Sequence, residues 1–293
     1  MNPLIPLESL YEIEHGRDLP LPPLLLRLYG RLQFPRSGRP AIIGNFVSTL
    51  DGVVSLGEPG NAGGGEISGF NAHDRMVMGL LRALADVVIV GAGTLRAAPD
   101  HRWTAAYIAP SFTEPFKVLR TSLGKSEPPL NVIVTARGEI DLALPVFQSG
   151  EVAVLIVTTT RGEERIREQR LPPGVEVSAV QSVADTLNAQ AILEAVSRVR
   201  QSDVILVEGG PQLMGDFFAE RFLDELFLTL APQIAGRDGN VERPGFVAGK
   251  RFAPEYPLWG RLIGVKRGGS HLFLRYAFET GEHLWMDAKE LSL

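Results

Sequence analysis

The sequence predicts a three-layer α/β fold in which a mostly parallel mixed sheet ends in a C-terminal antiparallel hairpin. Strand-like runs alternate with helical stretches from Ala41 onward, which is typical of a parallel sheet with helices on both faces. Near the end of the chain, Gly268-Gly269-Ser270 separates two further strand-like runs, which is a hairpin signal. The predicted strands are 41–47, 87–90, 131–135, 152–157, 203–207, 224–231, 261–267 and 271–278.

Two stretches between the strands carry apolar residues at helical spacing. In the segment 71–84 the stripe consists of Met76, Leu80 and Leu84. The segment 182–200 has a strict four-residue spacing, which predicts a helix that lays one stripe on the sheet. The members of that stripe are Val183, Leu187, Ala191, Ala195 and Val199. The segment 58–65 contains four glycines and predicts a mobile loop that can close over a ligand.

The chain divides into an N-terminal Pro-rich arm, 1–40, and a single domain, 41–293. Its 293 residues and 45% apolar content are ample for a buried core. Strand-like runs recur as far as residue 278 without a polar linker, so we expect one domain rather than two. The arm is rich in proline and leucine, which predicts a segment that packs on a surface, for example across a dimer.

Composition excludes several classes of function. The net charge is −5 and the 29 Lys and Arg residues are scattered, which argues against a nucleic-acid partner. Cysteine is absent and the five histidines lack metal-ligand spacing, so we expect neither disulfides nor a metal site. The amino terminus lacks a signal pattern, and no apolar run approaches the roughly 20 residues that span a bilayer. We therefore expect a cytoplasmic protein that does not contact membranes.

One predicted strand ends in a turn that is suited to an anion. Residues 204–213 read VILVEGGPQL, a strand that stops at Glu208, two glycines and Pro211. The glycines let backbone amides approach a ligand, and Pro211 suits the first position of a helix. An anion at that helix N-terminus, with a carboxylate beside it, would let a cofactor diphosphate and a polar substrate share one crevice. Alone, such a turn is more often a plain connection between a strand and a helix.

Two further segments strengthen the functional interpretation. Residues 45–55 read NFVSTLDGVVS, and residues 86–96 read DVVIVGAGTLR. The second segment begins a G-x-G pattern, but Arg96 stands where a dinucleotide-binding fold of the usual type needs a glycine. A bound dinucleotide would therefore have to be held in another way.

In order and spacing these segments resemble the reductase domain of riboflavin biosynthesis, the C-terminal domain of the bacterial bifunctional deaminase-reductase. That family has a dihydrofolate-reductase-like fold, and the resemblance covers about residues 41–278. The family patterns SLDG, ISG, VGAGTVRADDP, VEGGPTL, VDEL and IAPxLLG stand here as TLDG (49–52), ISG (67–69), VGAGTLRAAPD (90–100), VEGGPQL (207–213), LDEL (223–226) and LAPQIAG (230–236). The chain has neither the H-x-E nor the C-x-x-C of the zinc deaminase, so we expect only the reducing half.

The resemblance implies that NADPH lies across the strand ends, with its diphosphate on the VEGGP turn and its nicotinamide near the GAGT turn. Thr94 would contact the nicotinamide side. Thr135 and Arg137 would contact the adenosine side, where a cation selects the 2′-phosphate; Arg161 is the other candidate for that cation. The residues expected to bind the cofactor are Gly93, Thr94, Thr135, Arg137, Gly209, Gly210, Pro211, Gln212, Leu213 and Met214.

The implied reaction is hydride transfer to the ribosylamino group of 5-amino-6-(5-phosphoribosylamino)uracil, which gives the ribitylamino product. The expected catalytic residues are Glu208, accepting hydrogen bonds from the pyrimidine, and Asp51, ordering the substrate or a water. Asp51 is equally well explained as a turn-forming residue. Arg82 would bind the substrate phosphate, although an arginine at a helix end can also stabilise the helix dipole. The expected substrate-binding residues are Ser68, Arg82, Asp100 and Arg102.

Departures from the family pattern affect the substrate side more than the cofactor side. Val53 and Glu66 stand where the family often has a basic residue and tryptophan, and AAPDHRWTA replaces ADDPxLTxR. Two alternatives therefore stay open. One is a reductase of the same fold that acts on dihydrofolate or another small heterocyclic or carbonyl substrate; the other is a nucleotide-binding protein without turnover. The resemblance also implies a homodimer, formed through a sheet edge that the LDEL strand and the hairpin offer.

Overall fold

The computed structural model describes residues 4–35, 38–58, 62–181 and 187–281. Its strands are β1 (Glu8–Glu12), β2 (Arg17–Asp18), β3 (Gln33–Phe34), β4 (Ala41–Ser48), β5 (Val87–Gly91), β6 (Leu130–Thr135), β7 (Val154–Thr158), β8 (Val175–Ala179), β9 (Val204–Val207), β10 (Glu225–Leu230), β11 (Arg261–Gly268) and β12 (His271–Ala277). Its helices are α1 (Pro23–Tyr29), α2 (Gly64–Ser68), α3 (Ala72–Leu84), α4 (Ala92–Ala97), α5 (Ala105–Ile108), α6 (Thr113–Ser122), α7 (Pro145–Gln148), α8 (Thr160–Arg167), α9 (Ala189–Val199) and α10 (Pro211–Ala219).

The central sheet is mixed, as the sequence predicts. Among the described residues it has ten strands in the order β1-β11-β12-β10-β4-β9-β5-β6-β7-β8. The strands from β10 to β8 in this order run parallel, and β12, β11 and β1 add an antiparallel extension. All eight strands predicted from the sequence are present, with ends that differ by no more than two residues.

Two apolar cores lie on opposite faces of this sheet and make the three layers. Alternate residues of β5 point to opposite faces, so Val88 and Val90 belong to one core, while Val87 and Ile89 belong to the other. Helices α3 and α6 cover the first face, and α9 and α10 cover the second. In the described part of the chain, none of the helices is both long and apolar enough to cross a bilayer.

The helix stripe in the segment 71–84 is confirmed. Asn71 caps α3 by accepting hydrogen bonds from the amides of His73 and Asp74 at 2.9 and 3.1 Å. Met76, Leu80 and Leu84 are all buried.

The stripe predicted for 182–200 is only partly confirmed, because Leu187 and Ala195 are buried and Ala191 packs against the core, but Val199 is not buried. The helix there, α9, begins only at Ala189, after Asn188 caps it through the Ala191 amide at 2.9 Å. Its buried face follows the spacing i, i+3, i+4, i+7, whereas the predicted Val199 is 41% exposed. The buried residues of α9 are Ala189, Ile192, Leu193, Ala195 and Val196. Val183 lies outside the described residues.

The glycine-rich segment 58–65 is only partly described, because residues 59–61 lie outside the described ranges. Its last glycines are not loop residues. Gly64 and Gly65 form the first turn of α2, which ends at Gly69 with a left-handed φ of 61°.

The N-terminal arm packs against the antiparallel half of the main sheet. Strand β1 pairs with β11, and α1 buries Leu25, Leu28 and Tyr29 against the core. Two buried cations hold this contact: Lys266 lies 3.1 Å from both carboxylate oxygens of Glu12, and Arg275 donates to the carbonyl of Gln33. The sequence does predict the arm's packing, but it does not indicate the strand.

The predicted dimerisation edge is wrong in one respect. The LDEL strand, β10, lies between β4 and β12 and is therefore interior to the sheet. The hairpin does not leave a free edge either, since β1 of the arm pairs with β11. The backbone of β11 that would have been available to a second copy is hydrogen-bonded within the same chain.

Candidate active site

A cleft of about 1200 Å³ runs along the carboxyl ends of the parallel strands. Its walls are the residues after β5, β6 and β9, together with parts of α4, α8 and α10. The turns VEGGP and GAGT lie next to each other at this cleft, because a Cβ on Gly210 would lie 3.6 Å from the Thr94 hydroxyl. A Cβ at position 209 would overlap Cδ2 of Leu213, so a larger residue there would displace that side chain. Ligands of open α/β sheets bind at this edge.

The start of α10 offers open hydrogen-bond donors to the cleft. Gly210 occupies the N-cap position, and no side chain caps the helix. The amides of the first helical turn have no partner within the helix, and the helix dipole favours an anion at this end. No acidic residue lies in that first turn.

Most of the residues predicted to bind the cofactor line this cleft. They are Gly93, Thr94, Thr135, Arg137, Gly210, Pro211, Gln212 and Leu213. Gly209 is buried behind the turn. Met214 is a correction, because its side chain is fully buried and its amide donates to the Gly210 carbonyl at 3.1 Å. A phosphate therefore finds no donor on Met214.

The cleft also contains residues that the motifs did not indicate. Lys250 reaches it from a segment that folds back over α10, where the Ala248 amide donates to the Pro211 carbonyl at 3.0 Å. The Lys250 ammonium lies 2.9 Å from Asp216, which is on α10. The sequence does not indicate that Lys250 lines the cleft, because its segment has no regular structure and reaches the cleft only through the tertiary fold.

Charged residues cluster at the end of the cleft beyond β6 and β7. Arg137 is 78% exposed, and its Nε lies 3.8 Å from Glu139. Arg165 donates to the same carboxylate at 2.8 Å. Arg161, the other arginine that the sequence indicated, lines the cleft as well. This end combines cations with an opening to solvent, which suits a phosphate group.

Glu208 belongs to a buried ion pair beside the VEGGP turn. Arg82 Nε and Nη2 both lie 2.8 Å from Glu208 Oε2, and the two side chains are only 3% and 6% exposed. Asn45, on β4, donates to Glu208 Oε1 at 3.0 Å. Arg82 is therefore engaged inside the protein, which corrects the prediction that it binds the substrate phosphate. The carboxylate keeps lone pairs for further donors.

A histidine that the motifs missed completes this group. His101 Nε2 lies 2.8 Å from Arg82 Nη1, and its ring packs between Trp103 and Tyr107 with centroid distances of 5.0 and 4.6 Å. Desolvation, then the nearby charges of Arg82, Arg102 and Arg75, lowers the pKa of His101 to about 2. The ring is therefore neutral at physiological pH.

Asp51 holds two turns together at the carboxyl end of β4. Its carboxylate accepts hydrogen bonds from the Thr49 hydroxyl at 2.6 Å and from the amides of Ala235 and Gly236 at 3.1 and 2.8 Å. The Thr49 bond is the largest cause that lowers the pKa of Asp51 to about 2, and the two amides add to it. The structure thus ties the TLDG turn to the LAPQIAG turn through this side chain.

The other expected substrate residues lie in different surroundings. Ser68 is buried, and its carbonyl accepts a hydrogen bond from His271 Nε2 at 3.0 Å. Arg102 pairs with Glu151 at 2.9 Å and stacks on Tyr107, while Asp100 is exposed. The residues that the structure brings together next to the VEGGP turn are therefore Glu208, Arg82, Asn45 and His101. In the described part of the chain, no cluster of His, Asp or Glu could hold a metal ion.

Comparison with known proteins gives consistent matches. The model of the RibD C-terminal domain matches residues 40–254. A 2,5-diamino-6-ribosylamino-4(3H)-pyrimidinone 5′-phosphate reductase from Archaeoglobus fulgidus is 27% identical over 203 residues, which cover 68% of this chain and 84% of that protein. The riboflavin biosynthesis protein RibD from Aquifex aeolicus is 25% identical over 200 residues, which cover 68% of this chain but only 48% of that protein.

A solved structure supports the fold. The crystal structure of a pyrimidine reductase-like protein from Corynebacterium diphtheriae superposes with a TM-score of 0.64 at 21% sequence identity. The superposition covers 83% of this chain and 93% of the other.

Proposed function

Because the chain belongs to the RibD C-terminal domain family, we propose that it is a riboflavin-pathway reductase that transfers hydride from NADPH to the ribosylamino group of a phosphorylated pyrimidine. One observation carries the proposal. The open cleft of about 1200 Å³ along the strand ends passes directly beside the VEGGP turn, which holds the buried Glu208 carboxylate. A nicotinamide cofactor and a polar heterocycle can therefore meet at one edge of the sheet.

The residues that line the cleft fit such a cofactor. The uncapped start of α10 would hold the diphosphate, with Gln212 and Leu213 supplying amides and Lys250 supplying a charge. Arg137, together with Arg161, would hold the 2′-phosphate that distinguishes NADPH from NADH. When it is bound, the nicotinamide supplies hydride to the carbon of the open-chain imine, whose nitrogen takes up a proton.

The chain's own contribution to the reaction is positioning. Glu208 would accept hydrogen bonds from the N–H groups of the pyrimidine, and Arg82 and Asn45 hold its carboxylate in place. Asp51 would shape the substrate side by joining the TLDG and LAPQIAG turns, since its oxygens already accept three hydrogen bonds. Hydride transfer needs the donor and acceptor carbons about 3 to 3.5 Å apart, so fixed binding groups supply much of the rate.

Two phosphorylated pyrimidines are candidate substrates. The sequence resemblance implies 5-amino-6-(5-phosphoribosylamino)uracil, whereas relatives from Archaeoglobus fulgidus and Aquifex aeolicus are named for the 2,5-diamino pyrimidinone. The two compounds differ in the ring substituent that a deaminase exchanges. Both should be offered to the purified protein with NADPH, with dihydrofolate as the comparison. We expect oxidation of NADPH with at least one pyrimidine and a ribityl product two hydrogens heavier. Turnover of dihydrofolate alone, or of no compound, would overturn the proposal.

Cofactor selection is tested at Arg137. The Arg137→Ala variant should raise the KM for NADPH about tenfold and leave the KM for NADH unchanged, because only NADPH carries the 2′-phosphate. Arg251→Ala is a matched control: Arg251 is 79% exposed, pairs with Glu255 and does not line the cleft. An equal effect on both cofactors would contradict the role of Arg137. A cytoplasmic location stays a prediction, which localisation of the tagged protein would test.

A further inference from the structure

We infer that His101 is a positioning residue of the reductase site, holding the Arg82 guanidinium in the orientation that fixes the Glu208 carboxylate. The inference rests on the proposed function, because the orientation matters only if Glu208 contacts the substrate. The family pattern leaves the position of His101 unspecified, so neither a motif nor the resemblance indicates it.

The hydrogen bonds of Arg82 set the chemistry of the contact. Its Nε and Nη2 both lie 2.8 Å from Glu208 Oε2, and Nη1 is left to face His101 Nε2 at 2.8 Å, with the Thr104 carbonyl further away at 3.4 Å. A guanidinium can only donate, so Nε2 must accept and the ring proton must lie on Nδ1. His101 therefore supplies the strongest acceptor for the one nitrogen that Glu208 does not use.

Three neighbours, Arg82, Trp103 and Tyr107, fix the position of the imidazole. The Trp103 and Tyr107 rings contact it at centroid distances of 5.0 and 4.6 Å, with angles of 48° and 64° between the ring planes. Trp103 is itself anchored, because its amide donates to the Asn131 side chain at 3.2 Å and its carbonyl accepts from that side chain at 3.3 Å. Asn131 is fully buried on β6. The acceptor thus sits on a rigid support that reaches from β6 to the ion pair.

Burial and nearby charges keep His101 in the accepting form. Desolvation opposes protonation most, and the charges of Arg82, Arg102 and Arg75 add to it, so the pKa of His101 is lowered to about 2. A histidine that served as a proton donor in the reaction would need to titrate near the working pH. His101 cannot do so in these surroundings, which leaves geometry as its contribution.

Two substitutions separate the acceptor from the aromatic packing. His101→Gln keeps an oxygen acceptor and loses the ring, whereas His101→Phe keeps a ring between Trp103 and Tyr107 and loses the acceptor. We expect His101→Phe to lower kcat/KM for the pyrimidine about tenfold, with the KM for NADPH unchanged, because the lost bond is to a charged group. His101→Gln should stay within about threefold of the unmodified protein. The reverse order would show that packing matters and would overturn the inference.

A double-mutant cycle tests whether the effect passes through Arg82. If it does, His101→Phe should have little further effect in an Arg82→Lys background, so the two changes will be far from additive. Additive losses would contradict the inference. Thermal unfolding of each variant identifies any that fail to fold, and His73→Gln serves as a histidine control, since His73 bonds to the Ile5 carbonyl away from the cleft.

Nitrogen NMR of the imidazoles tests the contact without turnover. The signal of His101, assigned by its loss in His101→Gln, should stay in the neutral Nδ1–H form from about pH 5 to pH 8. Titration in that range would overturn the inference by itself. If the unmodified protein reduces no pyrimidine, the proposed function falls, while the NMR result still decides the His101–Arg82 contact.

Discussion

At the residue scale, burial of the Arg82–Glu208 pair has a large desolvation cost. Both side chains are almost fully buried, and desolvation of two charges can exceed the gain from their attraction. Apolar residues of similar size would often be at least as stable at such a position. The pair lies where β9 ends at the cleft, so its presence is better explained by the carboxylate that it holds than by stability.

The cost of breaking this pair gives the first prediction. Glu208→Gln leaves the Arg82 charge buried without its counter-ion, so the free energy of unfolding should fall by about 3 kcal/mol. The kcat/KM for the pyrimidine should fall at least about tenfold, because a charged acceptor is lost. Chemical denaturation and steady-state kinetics measure the two effects.

A double variant separates stability from function at the same site. Arg82→Met combined with Glu208→Leu removes both charges, and it should recover much of the lost stability while activity stays low. Full activity in this double variant would contradict the role of Glu208 in binding the substrate.

Asp51 gives a prediction about pH. The Thr49 hydroxyl, followed by the backbone amides, lowers the pKa of Asp51 in the folded protein to about 2, below its ordinary value of 3.8. A lowered folded-state pKa stabilises the protein above the unfolded-state pKa, and this contribution is lost as the pH falls through the folded-state value. The difference in melting temperature between the unmodified protein and Asp51→Asn should therefore be largest near neutral pH and should shrink between about pH 4 and pH 2.

Thr49 provides the control for this pH dependence. Thr49→Val removes the hydroxyl that lowers the pKa of Asp51 most, so it should weaken the pH-dependent part of the stability. If the difference in melting temperature between the unmodified protein and Asp51→Asn stays constant between pH 7 and pH 2, the charge of Asp51 does not contribute to stability.

At the scale of elements, strands are predicted best from the sequence where their burial requires a pattern of apolar residues. The strand β5 consists of four buried β-branched residues and a glycine, and it was found as expected. The strand β1 was missed because all five of its residues are exposed, so it has no alternation of polar and apolar residues. Its pairing with β11 depends on backbone hydrogen bonds between segments that are far apart in the chain, which no local pattern encodes.

The stripe predicted in α9 fails only at its end. Residues four apart rotate by about 40° per step around a helix of 3.6 residues per turn, so the stripe drifts away from the face that is centred on Ile192 and Val196. Ala195 is therefore still buried, whereas Val199 is 41% exposed.

The arm supplies the prediction at this scale. Leu25 on α1 is fully buried, whereas its neighbour Leu26 is 46% exposed. Substitution of Leu26 is therefore a matched control for substitution of Leu25. Leu25→Ala should lower the free energy of unfolding by about 3 kcal/mol, and Leu26→Ala by less than about 0.5 kcal/mol. The KM values for NADPH and the pyrimidine should not change in either variant, because the cleft lies elsewhere on the sheet. A rise in either KM would place the arm in the active site.

At the scale of the whole molecule, the cleft is assembled from distant segments. The sequence predicted the parts that follow strands, such as Gly93, Thr94 and Gly210, because the carboxyl ends of parallel strands meet at one edge. It could not predict Lys250 or His101, since both lie in irregular segments whose partners are fixed only by the tertiary fold. Residues that directly follow a strand were therefore easier to predict than residues in irregular segments.

The homodimer remains a prediction, and the structure changes where it should form. The main sheet ends at β1 on one side, and among the described residues the outer edge of β1 has no partner strand. Leu10 and Tyr11 on this strand are 49% and 46% exposed, and an edge strand without a partner offers its backbone groups to another chain. Two copies could pair their β1 strands around a two-fold axis and continue the sheet.

Light scattering measures this assembly directly. We expect a mass twice the 31.9 kDa of the chain. Replacing both Leu10 and Tyr11 with lysine should give the monomer mass, because like charges would then face each other across the two-fold axis. Val118→Lys is the control, since Val118 is 54% exposed on α6 and lies away from the edge. An unmodified protein with the mass of a single chain would contradict the dimer, and a dimer that persists in the double variant would place its interface away from β1.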